Sequence, residues 1–154
     1  MRDPLDRLCS GDKEERVEGS QSAVHIDHVV DLINKGVIAV EEARKRKDCF
    51  LGLLASDDEA VRWEAWHNIG DLINKGVISL DEARRMKGYY LELLESDNEE
   101  VRSWAWNIEW ILIKNGVISL DEARKKKGYF LELLASRDVM ARTNAWSNVE
   151  YFID

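Results

Sequence analysis

The sequence predicts an all-α protein, a right-handed α-α superhelix (solenoid) of three repeats of about 40 residues preceded by one leading helix. Gly-Val-Ile recurs at residues 36, 76 and 116, and the residues around it recur with it. A fixed period of this length is typical of architectures in which each unit buries its apolar face on its neighbours. Pro4 is the sole proline and no segment shows strand-like alternation, so helices alone are expected.

The composition predicts one compact body. At 154 residues, 45% apolar and 34% charged, the chain is long enough to bury a core. Its net charge of −8 disfavours a protein that coats nucleic acid or an anionic membrane with its whole surface, although local patches can still bind anions. No segment has the length and apolarity of a signal peptide or a membrane span, so no membrane partner is expected.

The two cysteines bear on the cellular compartment. Cys9 and Cys49 have neither metal-ligand nor redox-motif spacing. A reducing, intracellular compartment is the simplest interpretation, and a cytoplasmic protein without a cofactor is expected. Abundant Glu, Lys and Arg beside a single glutamine also hint at a source that lives at high temperature.

The first helix of each repeat is predicted to begin at Ala39, Ser79 or Ser119. Both serines have a glutamate three residues on, at Glu82 and Glu122, which is the spacing of a capping box. Ala39 has no side-chain acceptor, so the first copy should begin more weakly, by about 1 kcal/mol.

A lysine interrupts the apolar stripe of each repeat, at residues 47, 87 and 127, beside a glycine or aspartate. The helix is expected to break there, so each repeat should hold two short helices and then a long one. The long helix is predicted to be capped by Ser56 or Ser96, whereas Ser136 lacks the reciprocal glutamate. It is predicted to end at the glycine of Gly-Val-Ile in a left-handed conformation.

These elements define two regions. Residues 1–19 form a charged N-terminal segment that is expected to be partly ordered, and residues 20–154 form a single repeat domain. Within that domain the leading helix is placed near 20–35. The three repeats are placed at about 39–75, 79–115 and 119–154.

The turn before each long helix carries a family resemblance. The segments FLGLLASDDEAVRWEAWHNIGDLI and YLELLESDNEEVRSWAWNIEWILI resemble the inner turn of HEAT repeats, where an Asp-bearing turn leads into a Val-Arg helix start with Ala one turn on. The matching residues are Asp57, Val61, Arg62 and Ala65, then Asp97, Val101, Arg102 and Ala105. The third copy departs from this pattern with Arg137 and Ala141 but keeps Arg142.

A unit of three helical pieces is closer to armadillo repeats, so the resemblance is to the HEAT/armadillo type. It implies a superhelix whose long helices line a concave side that binds proteins, or less often nucleic acid. It implies nothing specific about the partner.

Half of the lysines and arginines lie in three short runs, one in each repeat. The candidate anion-binding residues in these runs are Arg44, Lys45, Arg84, Arg85, Arg124 and Lys125. In a stacked solenoid the runs should line up as a ridge that follows a phosphate backbone or an acidic peptide. The favoured alternative is structural, because each run ends a helix whose first turn is acidic, which suits the helix dipole and gives i,i+4 ion pairs.

Six tryptophans occur, and five of them are candidate binding residues. Trp66, Trp106 and Trp146 share one phase beside the repeated alanine, and packing between units is the favoured interpretation. Trp63 and Trp110 point away from the apolar stripe, toward the expected concave surface, where tryptophans make good anchors for a partner.

The remaining features give weaker signals. His25 and His28 lie one turn apart with Asp27 and Asp31 nearby, but a solvated helix is favoured over a metal site, and no catalytic motif is present. The apolar C-terminal helix could pack inward or form a homodimer. The sequence therefore predicts a non-enzymatic scaffold for an unidentified protein or peptide, with nucleic-acid or anionic-ligand binding as the alternative.

Overall fold

The described part of the chain is helical, as the sequence predicts. The structure, a computed structural model, describes residues 4–9 and 25–152, and no strand occurs in those two ranges. The chain divides into two compact units, Met1–Met86 and Lys87–Asp154. Most of the charged N-terminal segment lies outside the described residues, as does the side chain of every residue after 150.

The first unit contains a short N-terminal helix, the leading helix, the helices of the first repeat and the first helix of the second repeat. Its helices are α1 (Pro4–Leu8), α2 (Ile26–Asn34), α3 (Val40–Lys45), α4 (Lys47–Leu54), α5 (Glu59–His67), α6 (Ile69–Asn74) and α7 (Leu80–Arg85). The leading helix expected near residues 20–35 is α2. The short helix α1, which the sequence pattern did not predict, lies against it.

The second unit continues the same order of helices. These are α8 (Lys87–Leu93), α9 (Glu99–Asn107), α10 (Glu109–Lys114), α11 (Leu120–Arg124), α12 (Lys127–Leu134), α13 (Val139–Ser147) and α14 (Val149–Phe152). The predicted break between the two short helices is confirmed, with turns at Arg46, Met86 and Lys126.

The long helix of each copy is two helices, so the prediction of three pieces is wrong. In the first copy Asn68 separates α5 from α6: its N–H bonds to the Ala65 carbonyl (3.2 Å) and its side-chain amide to the Glu64 carbonyl (2.9 Å). The i→i−4 bond of the helix is thereby replaced. Ile108 makes the same break without an amide, so the asparagine side chain supports the break but is not required for it.

The capping predictions are confirmed for the short helices and wrong for the long ones. Ser79 and Ser119 each form a complete capping box, whereas Ala39 provides no side-chain cap. The nine-residue helices α5, α9 and α13 are capped two residues later than predicted. Their caps are Asp58, Asn98 and Asp138, each accepting from two backbone N–H groups.

The serine that was expected to cap has a different role. The Ser56 hydroxyl accepts from the Asp58 N–H at 3.1 Å, which shapes the turn before α5. Arg62, which carries part of the family resemblance, closes the turn by donating from Nη1 to the Ser56 carbonyl at 2.9 Å. Arg102 and Arg142 make the same bond in their copies, so the third copy keeps this turn despite its altered sequence.

The glycines after α2, α6 and α10 are left-handed, as predicted, with φ of 79°, 76° and 78°. The N–H of Val77 bonds back to the Leu72 carbonyl at 2.9 Å, which closes the last turn. A Cβ at Gly76 would also lie 2.8 Å from Nη2 of Arg44, so a side chain there would displace the end of the Arg44 side chain, but the positive φ is the constraint that requires glycine.

The structure joins the two cysteines that the sequence suggested were reduced. Cys9 and Cys49 form a disulfide across 40 residues, with their Cα atoms 5.5 Å apart. It fastens the end of α1 to α4, and Leu5 and Leu8 of α1 are buried. Because disulfides are uncommon in reducing compartments, the cysteines no longer support a cytoplasmic location.

Candidate binding site

A groove of about 310 Å³ lies between α9 and α13 in the second unit. Trp104 and Met140 supply its apolar surface, and Ser103, Ala141 and Asn144 complete the walls. Two acidic residues, Glu100 and Asp138, stand at its edge. The volume suits a few side chains of a bound peptide and is at the low end for a small-molecule pocket.

The acidic residues of the groove differ in how they are used. One oxygen of Asp138 caps α13 by accepting from the N–H groups of Met140 (2.9 Å) and Ala141 (3.2 Å). Glu100 lies in the first turn of α9 and is exposed. The groove therefore combines a sulfur and an aromatic ring with negative charge, which favours apolar side chains flanked by cations.

Trp104 is the groove residue that the sequence reasoning missed. The equivalent residues in the other copies are Glu64 and Asn144, so this position varies on helices that are otherwise closely similar. Such variation on one face of a repeated helix indicates a candidate binding position, because positions with a structural role keep their residue type from copy to copy.

The predicted tryptophans divide into buried and accessible residues. Trp66 and Trp106 are buried, and their indole N–H groups bond to the Leu54 and Leu94 carbonyls, both at 3.0 Å. The burial of both rings agrees with the packing interpretation and leaves little of either surface accessible to a partner. Trp63 is partly buried and stacks on His67, with ring centroids 5.1 Å apart.

Two of the predicted tryptophans are exposed. Trp110 is 46% exposed on α10, and Trp146 is 57% exposed on α13. Neither lines the groove, so the structure does not bring the five predicted tryptophans together with it.

The basic run of the first copy is held by the protein's own acceptors. Arg44 donates to the Gly76 carbonyl (3.1 Å) and pairs with Glu41 (3.2 Å), and Lys45 pairs with Glu42 (3.4 Å). These ion pairs are i,i+3 and replace the predicted i,i+4 pair between Glu41 and Lys45. Both cations serve local structure, which agrees with the favoured interpretation.

The later runs are less uniformly paired. Arg84 lies 3.9 Å from Asp81, and Arg124 is partly buried. Arg85 and Lys125 are exposed. Alignment of the three runs into one ridge stays a prediction.

Two of the lysines that interrupt the apolar stripe of the repeats have a structural role. Lys47 pairs with Glu82 at 3.1 Å, and Lys87 pairs with Glu122 at 2.9 Å. Each glutamate also completes a capping box. The backbone N–H of Ser79, followed by Lys47, holds the pKa of Glu82 below its ordinary value. The same glutamate therefore stabilises its own helix start and binds the preceding copy.

Two of the three histidines lie beside acidic residues in the first unit. His25 lies 3.2 Å from Glu64, and His67 lies 3.7 Å from Asp27. The Asp27 carboxylate raises the pKa of His67, and His67 in turn lowers the pKa of Asp27. Within residues 4–9 and 25–152, no cluster of three or more His, Cys, Asp or Glu side chains is placed to hold a metal ion.

Glu109 is a buried acidic residue that the sequence reasoning did not single out. It has no exposed surface, and neither carboxylate oxygen has a hydrogen-bond partner in the structure. Burial raises its pKa to about 8. The first copy has the apolar Ile69 at this position, so a comparison of the copies signals the difference.

The helices of the described residues place the chain in the all-α class. No protein-family model, curated protein or solved structure matches the chain. None of the helices in the described ranges is long and apolar enough to cross a bilayer.

Proposed function

We propose that this chain is a non-enzymatic scaffold of the HEAT/armadillo-like type that binds a protein or peptide in the α9–α13 groove. The observation that carries the proposal is the joint position of Trp104 and Met140 in a groove of about 310 Å³ with Glu100 at its edge. Aromatic rings and methionine are common anchors at binding surfaces because they bury a large area and adapt to different shapes.

The charge of the groove indicates the kind of peptide. An apolar side chain would contact Trp104 and Met140, and a neighbouring lysine or arginine would approach Glu100. Long-range attraction from the net charge of −8 would add to the association rate of a basic peptide. The proposed ligand is therefore an unstructured segment with an apolar residue next to a cation.

The proposal includes a right-handed superhelix of three repeats, in which the family resemblance implies that the long helices of the repeats bind the partner. The recurrence of the Arg62, Arg102 and Arg142 bonds at equal spacing supports equivalent turns in the three copies.

A cytoplasmic location belongs to the same proposal, with one condition. The Cys9–Cys49 disulfide must persist there, which occurs in intracellular proteins of hyperthermophiles. The charge-rich composition is compatible with that setting.

Selection from a random peptide library against the intact chain tests the proposed function. The selected peptides should combine an apolar residue with Lys or Arg, and Trp104→Ala should weaken binding by about tenfold or more. Trp110→Ala removes an equally large side chain that lies outside the groove and should change affinity little. Loss of binding with Trp110→Ala alone would move the site to α10 and refute the groove.

The nucleic-acid alternative is tested by titrating fluorescent single- and double-stranded oligonucleotides at low and high salt. The proposal expects no binding, because the first basic run is engaged by Glu41, Glu42 and the Gly76 carbonyl. Tight, salt-sensitive binding that is lost in Arg84→Glu/Arg85→Glu would establish the anionic-ligand function instead.

A further inference from the structure

The start of the leading helix α2 is capped by a carboxylate that belongs to α5. His25 occupies the N-cap position of α2, but its side chain makes no cap bond. Glu64 of α5 takes this role, because its Oε1 accepts from the Asp27 N–H at 3.3 Å. The other oxygen of Glu64 lies 3.2 Å from Nδ1 of His25. The Glu64 side chain is only 7% exposed, so its charge relies on the N-terminus of α2 and on His25 for compensation.

A second histidine–carboxylate pair joins the same two helices in the opposite sense. Asp27 of α2 lies 3.7 Å from Nδ1 of His67, the last residue of α5. Asp27 also accepts a hydrogen bond from the side-chain amide of Asn68. Trp63 stacks on the ring of His67 from the other side of the pair. Each partner in this junction therefore contributes one imidazole and one carboxylate.

The second unit contains the equivalent junction without ionisable groups. The side chain of Asn148, which stands at the position of Asn68, donates to Asn107 of α9 at 3.3 Å and to the Asn144 carbonyl at 2.8 Å. The residues that correspond to His25, Asp27, Glu64 and His67 are Ala105, Asn107, Asn144 and Ser147. A junction of this kind therefore forms with neutral side chains, so the scaffold does not require the ionisable ones.

Several carboxylates surround the two imidazoles. Those that face His67 are Asp27 of α2, Glu64 of α5 and Asp71 of α6. Glu64 and Asp27 also act on His25. The buried side chains of α1 and α4, which pack beside these helices, are apolar. Protonated imidazoles place positive charge among the carboxylates, whereas neutral imidazoles leave the carboxylates to repel one another.

The direction of the pH effect follows from the surroundings of His67. The Asp27 carboxylate raises the pKa of His67, and the face of the Trp63 indole also favours a cation. The stabilisation from this pairing is complete below the ordinary pKa of 6.5 and is lost as the pH rises through the raised pKa. The contact between α2 and α5 is therefore strongest at low pH.

We propose that the start of α2 is a proton-sensitive latch, which is docked on α5 at low pH and opens locally as the pH rises. The residues of the latch are His25, Asp27, Glu64 and His67. Protonation shifts the populations of the docked and the open form. Opening uncovers Ile26, which is 3% exposed when α2 is docked. The other end of α2 stays closed by the bond from the Val37 N–H to the Leu32 carbonyl at 2.9 Å.

The experiment is amide hydrogen exchange of the intact chain by NMR between about pH 5 and pH 8.5, with each rate corrected for its intrinsic pH dependence. The reporter is the Val29 N–H, which bonds to the His25 carbonyl at 3.3 Å and closes the first turn of α2. This backbone bond is available in every variant. Its protection therefore measures docking of the helix start with and without the latch.

Two variants remove the switch in opposite ways. His25→Ala/Asp27→Asn/Glu64→Asn/His67→Ser installs the neutral residues that the second unit has at these positions, so the junction should still form. His67→Arg keeps a positive charge beside Asp27 throughout the pH range. It differs from the wild type at one exposed position and tests the latch independently of the fourfold variant.

Protection of Val29 in the wild type should fall severalfold more with rising pH than in the neutral variant, the scale expected of partly exposed ion pairs. Changes that affect the whole fold, including those from Glu109, occur in both proteins and cancel in the ratio. His67→Arg should retain more protection than the wild type at the upper end of the range. Equal pH dependence of the wild type and the neutral variant would overturn the proposal. Loss of protection in His67→Arg to the same extent as in the wild type would overturn it as well.

Discussion

The buried carboxyl group of Glu109 makes a sharp prediction about pH. The side chain has no exposed surface and no hydrogen-bond partner for either oxygen, and burial raises its pKa to about 8. Glu109→Gln keeps the shape of the side chain and removes the ionisation. We expect this substitution to abolish a large part of the pH dependence of stability.

The sign follows from which state loses its proton first. In the unfolded chain Glu109 ionises near its ordinary pKa of 4.5, whereas in the fold it stays protonated until about pH 8. Between these values the folded state binds more protons, so the free energy of unfolding falls as pH rises. Each pH unit costs about 1.4 kcal/mol, which gives a loss of about 3 kcal/mol by pH 7.

The assay is denaturant unfolding followed by circular dichroism at several values between about pH 5 and pH 8. The wild type should lose about 4 kcal/mol over this range relative to Glu109→Gln. Glu92→Gln removes an exposed carboxylate from the same unit and should follow the wild type. If Glu109→Gln and the wild type have the same slope, Glu109 is ionised in the fold and the reasoning fails.

Three further predictions concern the first unit. The pKa of His67, followed through its NMR resonances, should lie above the ordinary value near 6.5. The stabilisation from its pairing with Asp27 is therefore present at low pH and is lost as the pH rises through the raised pKa. Asp27→Asn should bring this pKa back down, and an unchanged titration would contradict the pairing. Reducing agent should lower the free energy of unfolding of the wild type by about 4 kcal/mol through loss of loop closure. It should leave Cys9→Ser/Cys49→Ser unaffected, and an equal drop in that variant would exclude the disulfide as the cause. Ala39→Ser should raise the free energy of unfolding by about 1 kcal/mol by completing a capping box, and a thermal melt without an increase would count against the capping argument.

The features that depend on neighbours within four residues could be predicted from the sequence. The capping boxes at Ser79 and Ser119, the left-handed Gly76 and the break before Lys87 all follow local rules, and all are found. The burial of Trp66 was also predictable, because the repeated alanine beside it fixes the phase of the helix.

The features that failed depend on a choice between similar local solutions or on distant contacts. Ser56 and Asp58 are both good caps two residues apart, and the geometry of the turn, closed by Arg62, decides for the aspartate. The pairing of Cys9 with Cys49 depends on where α1 packs, which no local pattern specifies.

The candidate site was hidden for a related reason. The repeat pattern consists of residues that recur, whereas the groove depends on residues that do not recur. Trp104 replaces a glutamate, and Met140 replaces Glu100 of the preceding copy. In a repeated chain the shared residues describe the scaffold, and departures from the repeat are the better guide to binding.

The ion pairs from Lys47 to Glu82 and from Lys87 to Glu122 have a consequence for how such a chain can change its length. Each pair joins a lysine to the helix start of the copy that follows. Every copy contains both this lysine and a glutamate at the start of its own first helix. A tandem duplication of 40 residues therefore supplies a new donor and a new acceptor in register. An insertion of any other length in the same place would separate them, so whole copies are the natural step in which this architecture can grow or shrink.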